Sequence, residues 1–151
     1  MPISERDQKI VATLQPDFGQ DVYAWINDCE AENLPVYLAE GLRSFERSDH
    51  LYAKGRTAAG PKVTNARAGQ SYHNFGLAVD AVLTINGQPS WEFDPDGPIW
   101  RRVVALAKNR GLQWGGDWKG FKDPPHFQPG AVPTLIECRR KWPKGWKPKT
   151  E

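Results

Sequence analysis

Cysteine is scarce in this chain of 151 residues, which has only Cys29 and Cys138. Two cysteines without a CxxC spacing make neither a zinc knuckle nor a disulfide framework. We expect both to be buried free thiols, the alternative being one disulfide between them. Long apolar runs are also missing, since no stretch approaches the roughly 18–20 apolar residues of a membrane span. No stable membrane insertion is therefore expected.

The first ten residues, MPISERDQKI, lack the apolar core of a secretory signal. We therefore expect synthesis in the cytoplasm without a signal peptide. This expectation bears on how the protein reaches any substrate outside the cytoplasm.

What is present is the composition of a soluble globular protein, with 39% hydrophobic and 25% charged residues. The length suits a single domain over residues 1–151. The net charge of +2 is uneven, because acids dominate up to Glu40 and the segment of about 139–151 is basic. This segment, with Trp142 and Trp146, fits contact with an anionic surface or a solvated tail. No nucleic-acid-binding motif accompanies the charge, so no nucleic-acid partner is expected.

Hydrophobic periodicity and turn signals predict an α+β fold. Helices are predicted over residues 4–15, 18–32, 45–54, 98–109 and 133–141, and strands over 34–39, 76–85, 91–93, 112–114 and 126–128. The turn signal Asn86-Gly87 predicts a hairpin in which residues 91–93 return along strand 76–85. In the helix over 98–109, the inward side chains are predicted to be Ile99, Val103, Leu106 and Ala107. Residues 55–70 are predicted to form a long loop, and the strands a small, mainly antiparallel sheet with flanking helices.

Two of the three histidines have unusual neighbours. His73 precedes Asp80 by seven positions in SYHNFGLAVDAV. On a straight strand an odd separation places two side chains on opposite faces, so convergence requires a bend, which Gly76 permits. Asp80 also interrupts an apolar strand, where a carboxylate must be paired, hydrogen-bonded or bound to metal.

The second segment is WGGDWKGFKDPPHFQ, in which Asp123 precedes His126 by three positions with two prolines between them. A Pro-Pro pair favours polyproline II, whose three residues per turn place positions three apart on one face. Two histidines and one aspartate with an open position fit a catalytic zinc site, and Asp123 is then free to act as a base. Spacing alone leaves other interpretations open: a loop histidine, a turn-capping aspartate and a plain proline-rich turn.

The segment SYHNFGLAVD matches the SxHxxGxAxD signature of the zinc peptidases that include the D-alanyl-D-alanine dipeptidases and carboxypeptidases. DPPHF resembles their second motif. The blocks GLRSFERSDHLYAKGRT, KVTNARAGQSYHNFGLAVD and GLQWGGDWKGFKDPPHFQ resemble those of the L-alanyl-D-glutamate peptidases, found as phage endolysins and bacterial cell-wall enzymes. The matching blocks span roughly residues 41–128, and Leu42 departs from an aromatic residue in the family pattern.

The resemblance implies one zinc ion bound by His73, Asp80 and His126, in a cleft on the sheet. It implies that Asp123 is the general base and acid. Arg43 would face the substrate carbonyl or carboxylate and stabilise the oxyanion. Without the resemblance, Arg43 would be interpreted as a surface ion pair with Glu40 or Glu46.

Other candidates are less well defined by the sequence. Ser71 either supports the substrate or a ligand, or caps a turn. Trp118 and Phe121 border the cleft loop and could hold the stem peptide, whereas Trp114 is expected in the core. His50 occupies a variable position of the family pattern and is excluded from the site.

The resemblance implies a zinc metallopeptidase that hydrolyses peptidoglycan stem peptides at the L-Ala-D-Glu bond. Two alternatives remain: a D,D-carboxypeptidase or dipeptidase of the same superfamily, and a non-catalytic cell-wall-binding module. The expected partners are the peptidoglycan stem peptide and a holin-type pore, which would release the enzyme from the cytoplasm to the periplasm and cell wall. We expect a monomer.

Overall fold

The computed structural model describes residues 3–94 and 96–149. Its helices are α1 (Glu5–Val11), α2 (Pro16–Ala31), α3 (Phe45–Ala53), α4 (Pro98–Asn109) and α5 (Leu135–Lys141). Its strands are β1 (Val36–Glu40), β2 (Val79–Ile85), β3 (Gln88–Ser90), β4 (Leu112–Trp114) and β5 (His126–Pro129). Two short 3-10 helices, Tyr72–Phe75 and Gly115–Asp117, precede β2 and follow β4. The predicted α+β class is confirmed, and most predicted elements lie within a few residues of those observed.

The strands form one antiparallel sheet in the order β1-β2-β5-β4, with β3 paired to β2. β2 is the central element, because it pairs with β1 along its length and with β5 at its start. At its start, Val79 and Ala81 are buried in the core while Asp80 between them is only partly buried, so one face of the strand packs on the core. A register shift in β1 between Leu38 and Glu40 bends the end of this strand.

The hairpin after β2 is tighter than predicted. Asn86 and Gly87 both have positive φ, 53° and 78°, which suits a two-residue turn between antiparallel strands. Such a turn returns the chain at once, so Gln88 pairs with Ile85. The prediction of a strand over residues 91–93 was therefore wrong.

The main core lies between the sheet and helices α2 and α4. Trp25 of α2 and Phe127 of β5 are fully buried, with ring centroids 4.5 Å apart. The prediction for α4 was wrong at one position, because Ile99 is 46% exposed. Trp100, 3% exposed, occupies the inward position of the first turn instead.

A second, smaller cluster forms under the C-terminal segment. Its buried members are Phe75, Leu77 and Cys138, and Trp142 and Trp146 pack against them. The basic segment predicted over 139–151 is thus part α5 and part a packed strap, which we call the C-terminal strap (residues 142–149). The last two residues of the predicted segment lie outside the described residues.

The predicted loop over residues 55–70 has no helix or strand, apart from an isolated bridge between Lys54 and Ala58. Cys29 and Cys138 are buried free thiols, as predicted. Across residues 3–94 and 96–149, none of the helices has both the length and the apolar character needed to cross a bilayer.

Candidate metal centre and active site

Three adjacent strands place polar side chains side by side. Asp80 of β2 is directly opposite Glu40 of β1 on one side and His126 of β5 on the other. Residues directly opposite on neighbouring antiparallel strands point to the same face of a sheet. The sheet register therefore collects two carboxylates and an imidazole on one face.

His73 reaches this face from the 3-10 helix before β2. Ser71 caps this helix, accepting a hydrogen bond from the backbone N–H of His73 at 3.2 Å. Gly76 ends it in the left-handed conformation, with φ of 66°. The predicted bend at Gly76 is thus present, and it brings the His73 and Asp80 side chains within 3.1 Å despite their odd separation.

Asp123 and His126 lie on opposite ends of a turn, and the prediction of polyproline II between them was wrong. The backbone N–H of His126 donates to the carbonyl of Asp123 at 3.1 Å, which closes a turn through the two prolines. The two side chains nevertheless point the same way, as expected, since Asp123 Oδ2 lies 3.7 Å from His126 Nδ1. The closing hydrogen bond favours the turn over the extended polyproline helix, which has no internal hydrogen bonds.

The donor atoms of His73, Asp80 and His126 all lie within 4.8 Å of one another. Asp80 Oδ1 is 3.1 Å from His73 Nε2 and 3.9 Å from His126 Nδ1. We call these three residues the donor trio. Two imidazoles and one carboxylate match the ligand set of a catalytic metal site that keeps an open position.

Hydrogen bonds on the far side of each ring prepare both histidines as metal ligands. His73 Nδ1–H donates to the Gly41 carbonyl at 2.8 Å, and His126 Nε2–H donates to Gln128 Oε1 at 2.6 Å. In the neutral imidazole, each bond leaves the other ring nitrogen with a lone pair. His73 Nε2 faces Asp80, and His126 Nδ1 lies within 4 Å of both Asp80 and Asp123. Metal-binding histidines are oriented in this way, so the trio fits a metal ion.

Burial and mutual charge shift the pKa of each donor. Burial lowers the pKa of His126 to about 4, and the neighbouring His73 contributes in the same direction. Burial also opposes charge on His73, but the Asp80 charge and hydrogen bond outweigh it and raise the His73 pKa. The pKa of Asp80 is lowered, because His73, His126 and Arg43 outweigh its desolvation. Protons and a metal ion would therefore compete for the same donor atoms.

The pKa of Asp123 is raised, whereas that of Asp80 is lowered. Burial, and then the charge of Asp80, raise the pKa of Asp123 to about 6. A carboxylate with a pKa raised in this way can both accept and release a proton near neutral pH.

Arg43 borders the trio on the side of Asp80, with Nη2 3.8 Å from Asp80 Oδ2. Its Nε and Nη2 also donate to the two carboxylate oxygens of Glu40, at 2.9 and 2.7 Å. The ion pair with Glu40 therefore exists, but at the cleft and mostly buried instead of on the surface. Two parallel hydrogen bonds hold the guanidinium plane in one orientation.

The donor trio opens into a cleft of about 750 Å³. Trp118 borders it on the side of His126, with ring centroids 4.9 Å apart, and Phe121 lines it while 71% exposed. Ser71 also lines the cleft in addition to its capping role. His50 is exposed on α3 and does not line the cleft. Trp114 packs against the main core, as expected.

Sequence reasoning missed two groups that orient the histidines, Gln128 and the carbonyl of Gly41, and it did not place the Glu40–Arg43 pair in the cleft. Gln128 had a recognisable signal, because residues two apart on a strand share a face and it follows His126 by two. Glu40 precedes Arg43 by three positions, but nothing in the sequence placed the pair beside Asp80. The Gly41 carbonyl has no sequence signal, since any residue has a backbone oxygen.

Comparison with known proteins gives consistent matches. Residues 64–129 match a family described as D-alanyl-D-alanine carboxypeptidase. The chain is 41% identical over 129 residues to the peptidoglycan L-alanyl-D-glutamate endopeptidase CwlK of Bacillus subtilis, covering 82% of this chain and 77% of that protein. It is 32% identical over 100 residues to the L-alanyl-D-glutamate peptidase of Listeria phage A118, covering 66% of this chain but 32% of the phage enzyme.

Among solved structures, the L-Ala D-Glu endopeptidase ChiX of Serratia marcescens superposes with a TM-score of 0.61 at 23% identity. The superposition covers 95% of this chain and 94% of ChiX, and it shows a common fold. Because the identity to CwlK extends across most of both chains, the protein belongs to the family of L-alanyl-D-glutamate endopeptidases, which are metallopeptidases related to the D-alanyl-D-alanine carboxypeptidases.

Proposed function

We propose that this protein is a zinc metallopeptidase that hydrolyses the L-Ala-D-Glu bond in the stem peptides of peptidoglycan. The observation behind this proposal is the donor trio, His73, Asp80 and His126, with the carboxylate of Asp123 beside it. The names of CwlK and of the phage enzyme support this scissile bond.

One zinc ion would be held by His73 Nε2, Asp80 and His126 Nδ1. Two nitrogens and one oxygen, with an open fourth position, suit zinc better than magnesium or calcium, which prefer oxygen ligands. When bound, zinc supplies Lewis-acid activation of water and of the scissile carbonyl.

Asp123 would take the proton from the attacking water. Because its pKa is raised to about 6, the protonated carboxyl group can also return that proton to the leaving nitrogen, so that the amine departs neutral. Arg43 would donate from its guanidinium to the oxyanion that forms at the carbonyl, or to a substrate carboxylate. Glu40 holds that guanidinium in place, since it occupies Nε and Nη2 and leaves Nη1 available.

Trp118 and Ser71 would position the stem peptide. Trp118 offers a ring face beside His126, and Ser71 lines the same cleft.

Exchange of Asp123 for Asn tests the mechanism. The amide cannot accept a proton, so we expect kcat to fall by roughly 10²–10⁴-fold with zinc still bound. Turnover of purified muropeptides and metal content by mass spectrometry are measured on the same preparation. Asp117→Asn, which changes an exposed aspartate at the end of the second 3-10 helix that pairs with Lys108, is the matched control and should keep parental turnover.

The family description D-alanyl-D-alanine carboxypeptidase favours one alternative, a D,D-peptidase. Mass spectrometry of digested muropeptides separates the two, because cleavage at L-Ala-D-Glu releases the stem from its first alanine, whereas a D,D-peptidase releases terminal D-Ala. A chelator should stop either reaction, and zinc should restore it. A preparation that binds wall material but releases neither fragment would support a non-catalytic wall-binding module.

The route to the wall and the oligomeric state stay predictions. We infer that the enzyme acts in the cell wall after release through a holin-type pore, and the likeness to a phage enzyme supports this route. Lysis upon co-expression with a holin, and none without it, is the expected result. We also infer a monomer, for which light scattering on a size-exclusion column should give a mass near 17.0 kDa.

A further inference from the structure

A second groove of about 420 Å³ runs beside the cleft. It lies between the amino end of α3 and the C-terminal strap. The two cavities share Glu40, Arg43 and Arg47, so the second groove continues from the place where Arg43 borders the donor trio. We call it the strap groove.

The strap groove is strongly basic. Arg47, Lys144 and Lys147 line it in addition to the paired Glu40 and Arg43. Among residues 3–94 and 96–149, Glu40 is the single carboxylate on the lining, and its two oxygens already accept from Arg43. Among the described residues, no carboxylate lies within 4 Å of the Lys144 or Lys147 ammonium. With Arg43 paired to Glu40, three further cations line the groove: Arg47, which lies 3.8 Å from Glu40, and the two lysines.

The strap is held in place by specific contacts with the 3-10 helix that carries His73 and with its C-cap, Gly76. The backbone N–H of Trp146 donates to the Asn74 carbonyl at 3.1 Å. The Trp146 ring covers Gly76 so closely that a Cβ there would lie 2.6 Å from it. Lys144 and Lys147 therefore project from an anchored backbone next to the active site, which a solvated tail would not provide.

The chemistry of the substrate fits this charge. Beyond the scissile L-Ala-D-Glu bond, the stem continues through the D-glutamate side chain, so that the D-Glu α-carboxylate is free. The residues that follow add further carboxylates, including the one at the chain end. The half of the stem that leaves as the new amine is consequently the anionic half.

We propose that the strap groove is a binding subsite for this anionic half of the stem, with Lys144 and Lys147 binding its distal carboxylates. The inference rests on the proposed function. It makes the basic C-terminal strap a specificity element that favours long stems over short ones. A stem lying across Arg43 would enter the strap groove directly, since both cavities share that residue.

The test compares two soluble substrates. One is a muramyl dipeptide, which ends at D-Glu, and the other is a muramyl tetrapeptide with a diaminopimelate residue and a terminal D-Ala. The variant is Lys144→Gln/Lys147→Gln. The control is Lys141→Gln/Lys149→Gln, which removes the same charge from the same region but from residues that do not line the groove.

For the tetrapeptide, we expect the groove variant to raise KM roughly three- to tenfold with kcat nearly unchanged, because exposed ion contacts contribute modestly to binding. For the dipeptide, KM should stay at the parental value, as it should for both substrates with the control variant. A tetrapeptide amidated at its distal carboxylates should have a higher KM with the parent than the unmodified tetrapeptide has. Its KM should be the same for the parent and for the groove variant.

Equal KM changes for both substrates, or for variant and control, would overturn the subsite. So would a defect seen on intact walls and absent on soluble stems, because that result assigns the lysines to an anionic wall polymer. Failure of the proposed function has a different signature: the parental enzyme would then release no L-alanine-terminated fragment from either substrate, and both proposals would be overturned. The Tm of each variant should equal that of the parent, which would establish that the surface exchanges leave the fold intact.

Discussion

At the residue scale, the site depends on groups that hydrogen-bond to a proposed metal-binding residue on the side away from the metal. Gln128 accepts from His126 Nε2–H, which directs the opposite nitrogen of the ring at Asp80. Without that acceptor, the buried N–H loses its partner and the ring can rotate or adopt the other tautomer.

Gln128→Leu should therefore weaken zinc binding by roughly 10–100-fold, a typical cost of losing such an orienting partner. Competition with a chromophoric chelator measures the affinity. Gln88→Leu, which changes an exposed glutamine in strand β3, should bind zinc as the parent does. Unchanged affinity in Gln128→Leu would mean that packing alone orients His126.

A second residue-scale effect lies far from the site, at Asp7 of α1. Asp7 is 4% exposed, and its carboxylate accepts from the backbone N–H of Leu38. Burial raises its pKa, and the hydrogen bond from Leu38 offsets this only in part. An acid with a raised pKa stabilises the fold below its unfolded pKa of about 3.9, and this contribution is lost as pH rises through the folded value.

Asp7→Asn removes the titration but retains an acceptor for Leu38. We expect the unfolding free energy of Asp7→Asn, relative to the parent, to increase as pH rises from about 3 to 7. Urea unfolding at several pH values measures this difference. A difference that is constant with pH, or that falls, would contradict the pKa shift.

At the scale of elements, the junction between the first 3-10 helix and β2 sets the position of His73. Gly76 ends the helix with φ of 66° and lies under Trp146. One residue thus satisfies two demands: a left-handed backbone and close approach of the C-terminal strap. Both are difficult for any residue with a Cβ.

Gly76→Ala should destabilise the protein by about 1–3 kcal/mol, since it adds a steric conflict with Trp146 to the cost of the backbone conformation. Gly87→Ala is the control, because its φ is 78° while nothing lies within 4 Å of the added Cβ. Gly87→Ala should show the backbone cost of about 1 kcal/mol alone. Equal losses in the two variants, measured by denaturant unfolding, would show that the strap moves aside freely.

The elements also show how far sequence patterns reach. Helix α4 and strand β4 have the bounds predicted, because periodicity and flanking glycines are local signals. The hairpin strand was misplaced because a two-residue turn returns the chain sooner than the Trp91–Phe93 pattern suggested. The turn before His126 was misjudged because a closing hydrogen bond overrode the preference of Pro-Pro for an extended helix.

At the scale of the whole molecule, metal binding is linked to folding. The donor trio comes from β2, β5 and the 3-10 helix, so unfolding disperses it. A ligand that binds only the folded state at 100 times its Kd stabilises it by about 2.7 kcal/mol.

Zinc should accordingly raise Tm by roughly 5–10 °C over the chelator-treated protein, by the size scaling for a domain of this length. The increase should shrink at acidic pH, because the raised pKa of His73 means that a proton competes for the ligand nitrogen. His73→Ala should abolish the increase. Calorimetry with and without zinc at two pH values measures both effects, and a zinc-independent Tm would contradict the proposed site.

The sequence by itself determined the α+β order of elements, the candidate ligands His73, Asp80 and His126, and the candidate base Asp123. These follow from local patterns and from motifs whose spacing is short. The tertiary structure decided that Glu40 lies in the cleft beside Asp80, that Gln128 and the Gly41 carbonyl orient the two histidines, and that the strap forms a basic groove with Arg47. The physical reason is that the contacts of Glu40, Gly41 and Arg47 join residues far apart in the chain, whose meeting depends on strand register and packing. Gln128 is only two positions from His126, but its contact requires that both residues lie in strand β5.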